Sequence, residues 1–332
     1  MLGSSAQALC RAYDLAMLDL DGVVYVGGDA VPGAPGHLAQ ARAEGLRLAF
    51  ITNNASRPPA TVAEHLRDLG VDARTEDVVT SAQAAARLVA ERFGAGARIV
   101  CLGADGLREA LEAEGLVPVG ADDDAVAITT GYGPDVRWSA IMRAAVRIRD
   151  GLPWVASNTD HTFPAAFGVA PGHGVQVEML RRFTGVDPEV AGKPARPLLD
   201  ETVRRVGGER PLMVGDRLDT DIEGARHAGL DSLLVLTGVT GLAELVVAPA
   251  DQRPTYLAPD LAGLLAAHRA PAAAGDGFEL GGWRAATDGR SLAVSGAGDP
   301  ADWWRVVAET AWDHLDRSGE PVHVSALEVP AR

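Results

Sequence analysis

The chain has 332 residues, 47% of them apolar, and a formal charge of −15. That apolar content excludes an intrinsically disordered chain, and the charge argues against nucleic acid or an anionic membrane as the main partner, since both reward a basic face. At this length two or three domains are expected. Cys10 and Cys101 share no zinc spacing, so no disulfide framework is expected, and a reducing compartment is. The opening residues reach acidic side chains before any adequate apolar run, and no stretch of about 18 apolar residues is present to span a bilayer. The expectation is a cytoplasmic protein without membrane insertion.

From about residue 14 to residue 270, short apolar runs alternate with Ala-rich helical patterns, which predicts parallel strands joined by helices and an α/β fold. Residues 15–18 read as a buried strand and 46–51 as the next. Thr61 and Glu64 have the spacing of a capping box, which with Gly70 as a stop predicts a helix over 61–69. Thr80 and Gln83 repeat that spacing. Strands over 98–102, 125–130 and 154–157, with an amphipathic helix over 136–149, predict an inserted domain whose core takes in Trp138 and Trp154. The acidic triplet 122–124 reads as a solvated turn. Strands over 211–214 and 232–236 return the chain to the first sheet. Residues 269–277 (RAPAAAGDG) read as a linker. Beyond it stand Trp283, Trp303, Trp304 and Trp312, four of the six tryptophans, with a helix expected over 299–315 and a strand over 322–324. A tail this short is marginal alone and is expected to pack on the main body or on another subunit.

Lys193 is the only lysine among 30 basic residues. Lysine supplies a compact point charge where arginine supplies a wide fork, which suits a cramped site holding a phosphoryl group and carboxylates. Three other segments share its setting, each with polar residues just after an apolar run: LDLDGVVY with Asp19 and Asp21, FITNN with Thr52, and MVGDRLDTDI with Asp216 and Asp221. In an open parallel sheet such strand ends converge at one crevice. Singly, each Asp is an ordinary helix cap and each Gly an ordinary turn; four segments in this order are not. Gly22, Gly27 and Gly28 read as turn glycines, because the spacing of a dinucleotide loop is missing.

Over about residues 12–270 this set resembles the haloacid dehalogenase superfamily of phosphohydrolases, in its class IIA, NagD-like branch. The motifs are DLDGVVY followed by PGA, TNN at 52–54, GKP at 192–194 and GDRLDTDI at 215–222. The resemblance implies a doubly wound parallel-sheet core from residues 1–82 and 181–270, a large inserted α/β cap over 83–180, and a small α+β appendage over 278–332 outside the family's pattern. It implies that Asp19 attacks phosphorus to form an aspartyl-phosphate and that Asp21 serves as acid and then base. Thr52 and Lys193 would bind the transferring phosphoryl group, with Gly22, Asn53 and Asn54 beside them. Asp19, Asp216 and the Asp21 main-chain carbonyl would ligate Mg²⁺, with Asp221 supporting that shell. Asp219 is left outside the set as a surface or capping residue. In the cap, the segment 157–164 (SNTDHTFP) resembles the element that faces the catalytic site, which makes Asn158, Asp160, His161 and Phe163 the specificity candidates; Asn158 and Asp160 also suit a plain turn. Class IIA members often pair through their caps, so a homo-oligomer is an expectation too.

Elementary electrostatics agrees with those roles. A phosphate monoester approaching several carboxylates meets roughly 4 kcal/mol of repulsion per pair of unit charges about 4 Å apart at an effective dielectric of 20. A hard divalent ion with oxygen ligands cancels it, and covalent catalysis splits one hard displacement into two easier ones. Neighbouring acidic groups and partial burial would raise the pKa of Asp21 toward its role as acid. A fixed cap favours small phosphomonoesters over macromolecules. The arrangement with a C-terminal appendage resembles actinobacterial glycerol 3-phosphate phosphatases, which makes glycerol 3-phosphate the first expected substrate; 2-phosphoglycolate, pyridoxal phosphate and aryl phosphates stay open. A phosphoacceptor signalling domain also uses Asp, Thr and Lys, but it keeps its acidic pair on another strand from the acceptor and has no cap. A sugar-phosphate mutase of the same superfamily differs by releasing no net phosphate.

Overall fold

A computed structural model describes residues 1–165 and 167–330. The chain forms two compact units, Met1–Leu48 with Gly208–Arg332, and Ala49–Gly207.

In the first unit four parallel strands lie in the order Tyr256–Ala258, Asp231–Val235, Pro211–Gly215, Leu15–Leu18. Leu15–Leu18 is buried at every position, as expected of an apolar run covered on both faces. The predicted strands over 15–18, 211–214 and 232–236 are all present, within one residue. Gly27 and Gly28 form the tight turn between the strands Tyr25–Val26 and Asp29–Ala30, Gly27 at φ +61°.

The C-terminal segment is not a separate body. A four-stranded antiparallel sheet runs Ala272–Ala274, Gly277–Leu280, Trp283–Thr287, Leu292–Gly296 in sequence order, and the helix Pro300–Ser318 packs on it. Trp303, Trp304 and Trp312 join one apolar cluster with Leu218, Ile222, Leu234 and Leu245, and Trp312 Nε1 donates to the Leu245 carbonyl at 2.7 Å. The C-terminal segment departs from expectation at two places. The linker of 269–277 is partly the edge strand Ala272–Ala274, because small residues next to a partner strand pair with it as readily as larger ones. No strand forms over 322–324; a single bridge joins His323 to Ser291. The tail helix is stated well by its sequence, with Asp299 Oδ1 accepting from the Ala301 amide and Pro300 in the first turn.

The second unit starts along the strand Arg47–Thr52, which pairs in parallel with Val78–Thr80. Its larger sheet has five parallel strands in the order Glu189–Val190, Trp154–Ala156, Ala127–Thr130, Arg98–Leu102, Val117–Val119. Thr80 and Gln83 form the expected capping box on Ser81–Phe93. Thr61 and Glu64 do not: the helix is Pro59–Asp68, opened by Pro59, whose fixed φ and missing N–H suit the first helical position. Thr61 therefore falls inside the first turn. Trp154 is in the core at 4% exposed, whereas Trp138 is 59% exposed. The helix Trp138–Arg149 buries Ala144, Ala145 and Ile148, and Trp138 falls on another line, with Met142 and Val146 every four residues, that faces outward. The triplet 122–124 is exposed, with Asp122 paired to Arg143. Both units are thus built on parallel strands joined by helices, and the fold class is α/β. Among the described residues no helix is long and apolar enough to cross a membrane.

Two predictions follow from the packing. Trp312→Ala removes an indole 1% exposed and is expected to destabilise the first unit by about 3–5 kcal/mol in chemical unfolding. His268 is buried, donating from Nε2 toward the Gly263 carbonyl and accepting from Arg305 at Nδ1; burial pushes its pKa down to about 4. The unfolded chain therefore takes up a proton near pH 6.5 that the folded chain refuses, so stability present at neutral pH is lost as pH falls from about 6.5 toward 4. Unfolding at pH 7 and pH 5 should show the His268→Gln variant losing about 2 kcal/mol less than the wild type over that interval.

Candidate active site

In the first unit the acidic residues stand at the carboxyl ends of two adjacent strands. Asp19 directly follows Leu15–Leu18, and its N–H donates to the Val214 carbonyl at 2.9 Å. Asp21 is exposed two residues on, in the turn closed by the Gly22 N–H on the Tyr25 carbonyl at 2.8 Å. Asp216 follows Pro211–Gly215, and the next residues wind through a π-helical turn, Leu218–Ile222, that carries Asp221 back over the strand end. Asp221 Oδ2 accepts the amides of Asp216 and Arg217 at 3.2 and 3.1 Å, while Asp216 Oδ2 accepts the Val239 amide at 2.6 Å.

The result is a trio: Asp19, Asp216 and Asp221 each bring a carboxylate oxygen within 4.8 Å of the others, with Asp216 and Asp221 at 0% exposed. Buried like charges this close disfavour one another unless a cation joins them. An all-oxygen donor set with few carboxylates fits a hard ion of the Mg²⁺ type. Backbone space around the trio is reserved by glycine. Gly22 sits at φ +87°, and a Cβ there, or on Gly238, would meet the Asp216 carboxylate; one on Gly215 would meet Asp221. Asp219 is exposed and paired with Arg217.

In the second unit Thr52 closes its strand, buried, and its Oγ1 accepts the Asn54 amide at 3.0 Å. Asn54 Oδ1 in turn accepts the Ser56 amide and hydroxyl at 2.8 and 2.7 Å, an Asx-type turn that shapes the loop. Lys193 is only 2% exposed. Its backbone is gripped by the Asn53 side chain, whose Oδ1 accepts the Lys193 N–H at 2.8 Å and whose Nδ2 donates to the Lys193 carbonyl at 3.0 Å. The same Nδ2 donates to Asp160 Oδ1 at 3.0 Å. Gly192 permits the approach, since a Cβ there would come 2.7 Å from Asn53 Oδ1 and the Ser157 carbonyl.

The candidate cap residues of 157–164 are in this unit as well. Asn158 is buried, with Nδ2 donating to the Asn53 carbonyl at 2.7 Å and Oδ1 accepting the Asp160 amide at 3.1 Å. Its side chain is occupied in holding the loop. Asp160 is half-buried, His161 exposed, and Phe163 packs edge-on against Tyr132 with ring centroids 4.8 Å apart. Sequence reasoning passed over Val239, Gly238, Tyr132 and His173. The one available signal was the GVTG turn after the strand Asp231–Val235, where glycine admits the Asp216 carboxylate.

Models of the haloacid dehalogenase-like hydrolases match residues 16–117 and, as an HAD-hydrolase-like segment, 190–264. The D-glycerol 3-phosphate phosphatase of Mycobacterium tuberculosis is 40% identical over 338 residues, covering 98% of this chain and 94% of that protein. A crystal structure of the glycerol phosphate phosphatase from that organism, in complex with magnesium, superposes with a TM-score of 0.84 at 41% identity, covering 92% of each chain. The acid sugar phosphatase of Staphylococcus aureus is 33% identical over 253 residues, 76% of this chain and 96% of that one. A structure described as a putative nagD protein matches at 31% identity and a TM-score of 0.68, over 75% of this chain and 96% of that one. The chain belongs to the haloacid dehalogenase-like hydrolases, in their NagD-like branch. Within that family it is a phosphatase, a hydrolase of phosphomonoesters.

Gly22→Ala adds a methyl group against the Asp216 carboxylate at a backbone angle that suits only glycine. In calorimetric titration the variant is expected to bind Mg²⁺ at least about tenfold more weakly than the wild type, a loss of about 1.4 kcal/mol or more.

Proposed function

We propose that this chain hydrolyses glycerol 3-phosphate to glycerol and phosphate, with Mg²⁺ as cofactor and Asp19 as nucleophile. The observation that carries the chemistry is the trio of close carboxylates, Asp19, Asp216 and Asp221. Bound there, Mg²⁺ neutralises carboxylate charge and orients a phosphate oxygen. A carboxylate oxygen of Asp19 forms a bond to phosphorus as the bond to the substrate oxygen breaks, giving an aspartyl-phosphate. Asp21, exposed two residues beyond the nucleophile, donates a proton to the leaving oxygen, then takes one from the water that attacks phosphorus and frees Asp19. Asp221, held by two backbone amides, keeps the Asp216 segment in place. Thr52 and Lys193 bind the phosphoryl oxygens; a compact ammonium offsets their charge without competing for the plane of the transferring group.

The substrate choice is supported by the 40% identity to the mycobacterial phosphatase across nearly the whole of both chains, the C-terminal segment included. Cap chemistry points the same way. The segment 157–164 has no Arg or Lys and offers a carboxylate at Asp160, which accepts hydrogen bonds from hydroxyl groups and repels a second anion. Glycerol 3-phosphate has two free hydroxyls, whereas 2-phosphoglycolate brings another carboxylate. In this reading residues 1–82 and 181–270 are the catalytic core, 83–180 the cap and 278–332 a packing appendage. A cytoplasmic setting belongs to the same reading, supported by the free thiols Cys10 and Cys101.

Phosphate release in the presence of Mg²⁺ should be measured on glycerol 3-phosphate and 2-phosphoglycolate in parallel, with Asp19→Asn as the blank. Glycerol 3-phosphate is expected to be preferred at least about tenfold in kcat/KM, near 1.4 kcal/mol, with Asp19→Asn inactive. A preference for phosphoglycolate overturns the substrate, and full activity in Asp19→Asn overturns the mechanism.

A further inference from the structure

The helix His173–Thr184 starts without any side chain capping its first turn. Its leading groups are used differently: the Gly172 N–H donates to the His161 carbonyl at 2.7 Å and the Gly174 N–H to the Asp160 carbonyl at 2.8 Å. Such N-terminal amides have no partner within their own helix and are available to hold another segment. His173 stands between them, 3% exposed, with Nδ1 2.9 Å from the Asn158 carbonyl. A carbonyl only accepts, so Nδ1 carries the proton and donates. The helix start thus grips three carbonyls of one short loop, 158, 160 and 161, and His173 supplies the one grip made by a side chain. Gly172 and Gly174 make the contact close, since a Cβ on either would strike the backbone of Asp160 or Thr159.

That loop is one end of a continuous chain of bonds. Asn158 Nδ2 reaches the Asn53 carbonyl, Asn53 Nδ2 reaches Asp160, and Asn53 Oδ1 takes the Lys193 N–H. We propose that His173 is a positioning residue for the phosphatase reaction: its ring N–H holds the Asn158 carbonyl, fixes Asn158 against Asn53 and so sets the Asp160 carboxylate. The ring is 15 residues from the carbonyl it holds. The chemistry of histidine fits this role. Nε2 is buried with no hydrogen-bond partner among the described residues, so a second proton would leave a buried charge without a partner. Burial pushes the pKa down to about 4, which keeps the ring neutral, with its single proton on the nitrogen that faces Asn158.

The kinetic consequence rests on the phosphatase reading; the geometric one does not, and the test separates them. His173→Asn keeps an amide donor at the Nδ1 position, and His173→Leu removes the donor at similar bulk. With the full-length protein and Mg²⁺, His173→Leu is expected to raise KM for glycerol 3-phosphate at least tenfold, with kcat for 4-nitrophenyl phosphate changed less than threefold. His173→Asn should stay within threefold of wild type on both. Hydrogen exchange read at the Asp160 amide, independent of turnover, should be at least tenfold faster in His173→Leu and unchanged in His173→Asn. Normal exchange and normal KM in His173→Leu overturn the proposal, and equal damage in both variants overturns it by making another feature of the imidazole ring, not the hydrogen bond, responsible. Should His173→Leu not fold, His173→Gln, whose amide lies at the Nε2 position, carries the same expectations. A wild type inactive on glycerol 3-phosphate defeats the substrate reading alone, and the exchange measurement still decides for or against His173.

Discussion

Three carboxylates whose oxygens lie within 4.8 Å of one another, two of them fully buried, are a destabilising arrangement for a chain to assemble. Much of the local structure in the first unit is a response to that repulsion. Amides of Asp216, Arg217 and Val239 donate to the carboxylates of Asp221 and Asp216, and hydrogen bonds to the charged form favour it. Gly22, Gly215 and Gly238 withhold side chains where the carboxylates need room. The π-helical turn Leu218–Ile222 delivers Asp221 to the end of its own strand. Three carboxylate oxygens this close also suit a hard divalent cation, and that fit ties this half of the chain to magnesium-dependent chemistry.

The second unit solves a different problem, how to hold a lysine that is almost wholly buried. One asparagine fixes the backbone of that lysine. Asn53 uses both ends of its amide on the Lys193 backbone and still reaches Asp160, so the residue next to Thr52 acts as a clamp. Asn158 and His173 extend the clamp through the loop. The C-terminal segment plays a plainer part, because its tryptophans complete an apolar cluster begun by Leu218, Ile222, Leu234 and Leu245. That cluster flanks the very turn that carries Asp221, so the appendage braces the region of the acidic trio.

The parallel strands were legible because continuous buried runs such as LAML and LMV have no other economical use. Capping chemistry was legible where it was local, at Thr80 with Gln83 and at Asp299. It misled at Thr61 with Glu64, where Pro59 sets the helix start and outweighs the capping spacing. Trp138 and Trp154 look alike in sequence, and only the packing of the helix Trp138–Arg149 separates an exposed indole from a buried one. The aspartates of the acidic trio and Lys193 were visible because their residue types carry chemistry at recognisable spacings. The clamp was not: Asn53 meets Asp160 and Lys193 across 107 and 140 residues, and an asparagine in a turn gives no sign of such reach. Ala272–Ala274 reads as a linker for a similar reason, since its strand character comes from the neighbour Gly277–Leu280.

The central claim is that Asp19 becomes covalently phosphorylated while Asp21 governs release. The most direct measurement is peptide mass spectrometry of the Asp21→Asn variant, acid-quenched after mixing with Mg²⁺ and glycerol 3-phosphate. The account predicts a peptide containing Asp19 that gains the mass of one phosphoryl group, with the same peptide unmodified in Asp19→Asn. A variant that turns over at the wild-type rate, or a phosphoryl group found on any other residue, would contradict it.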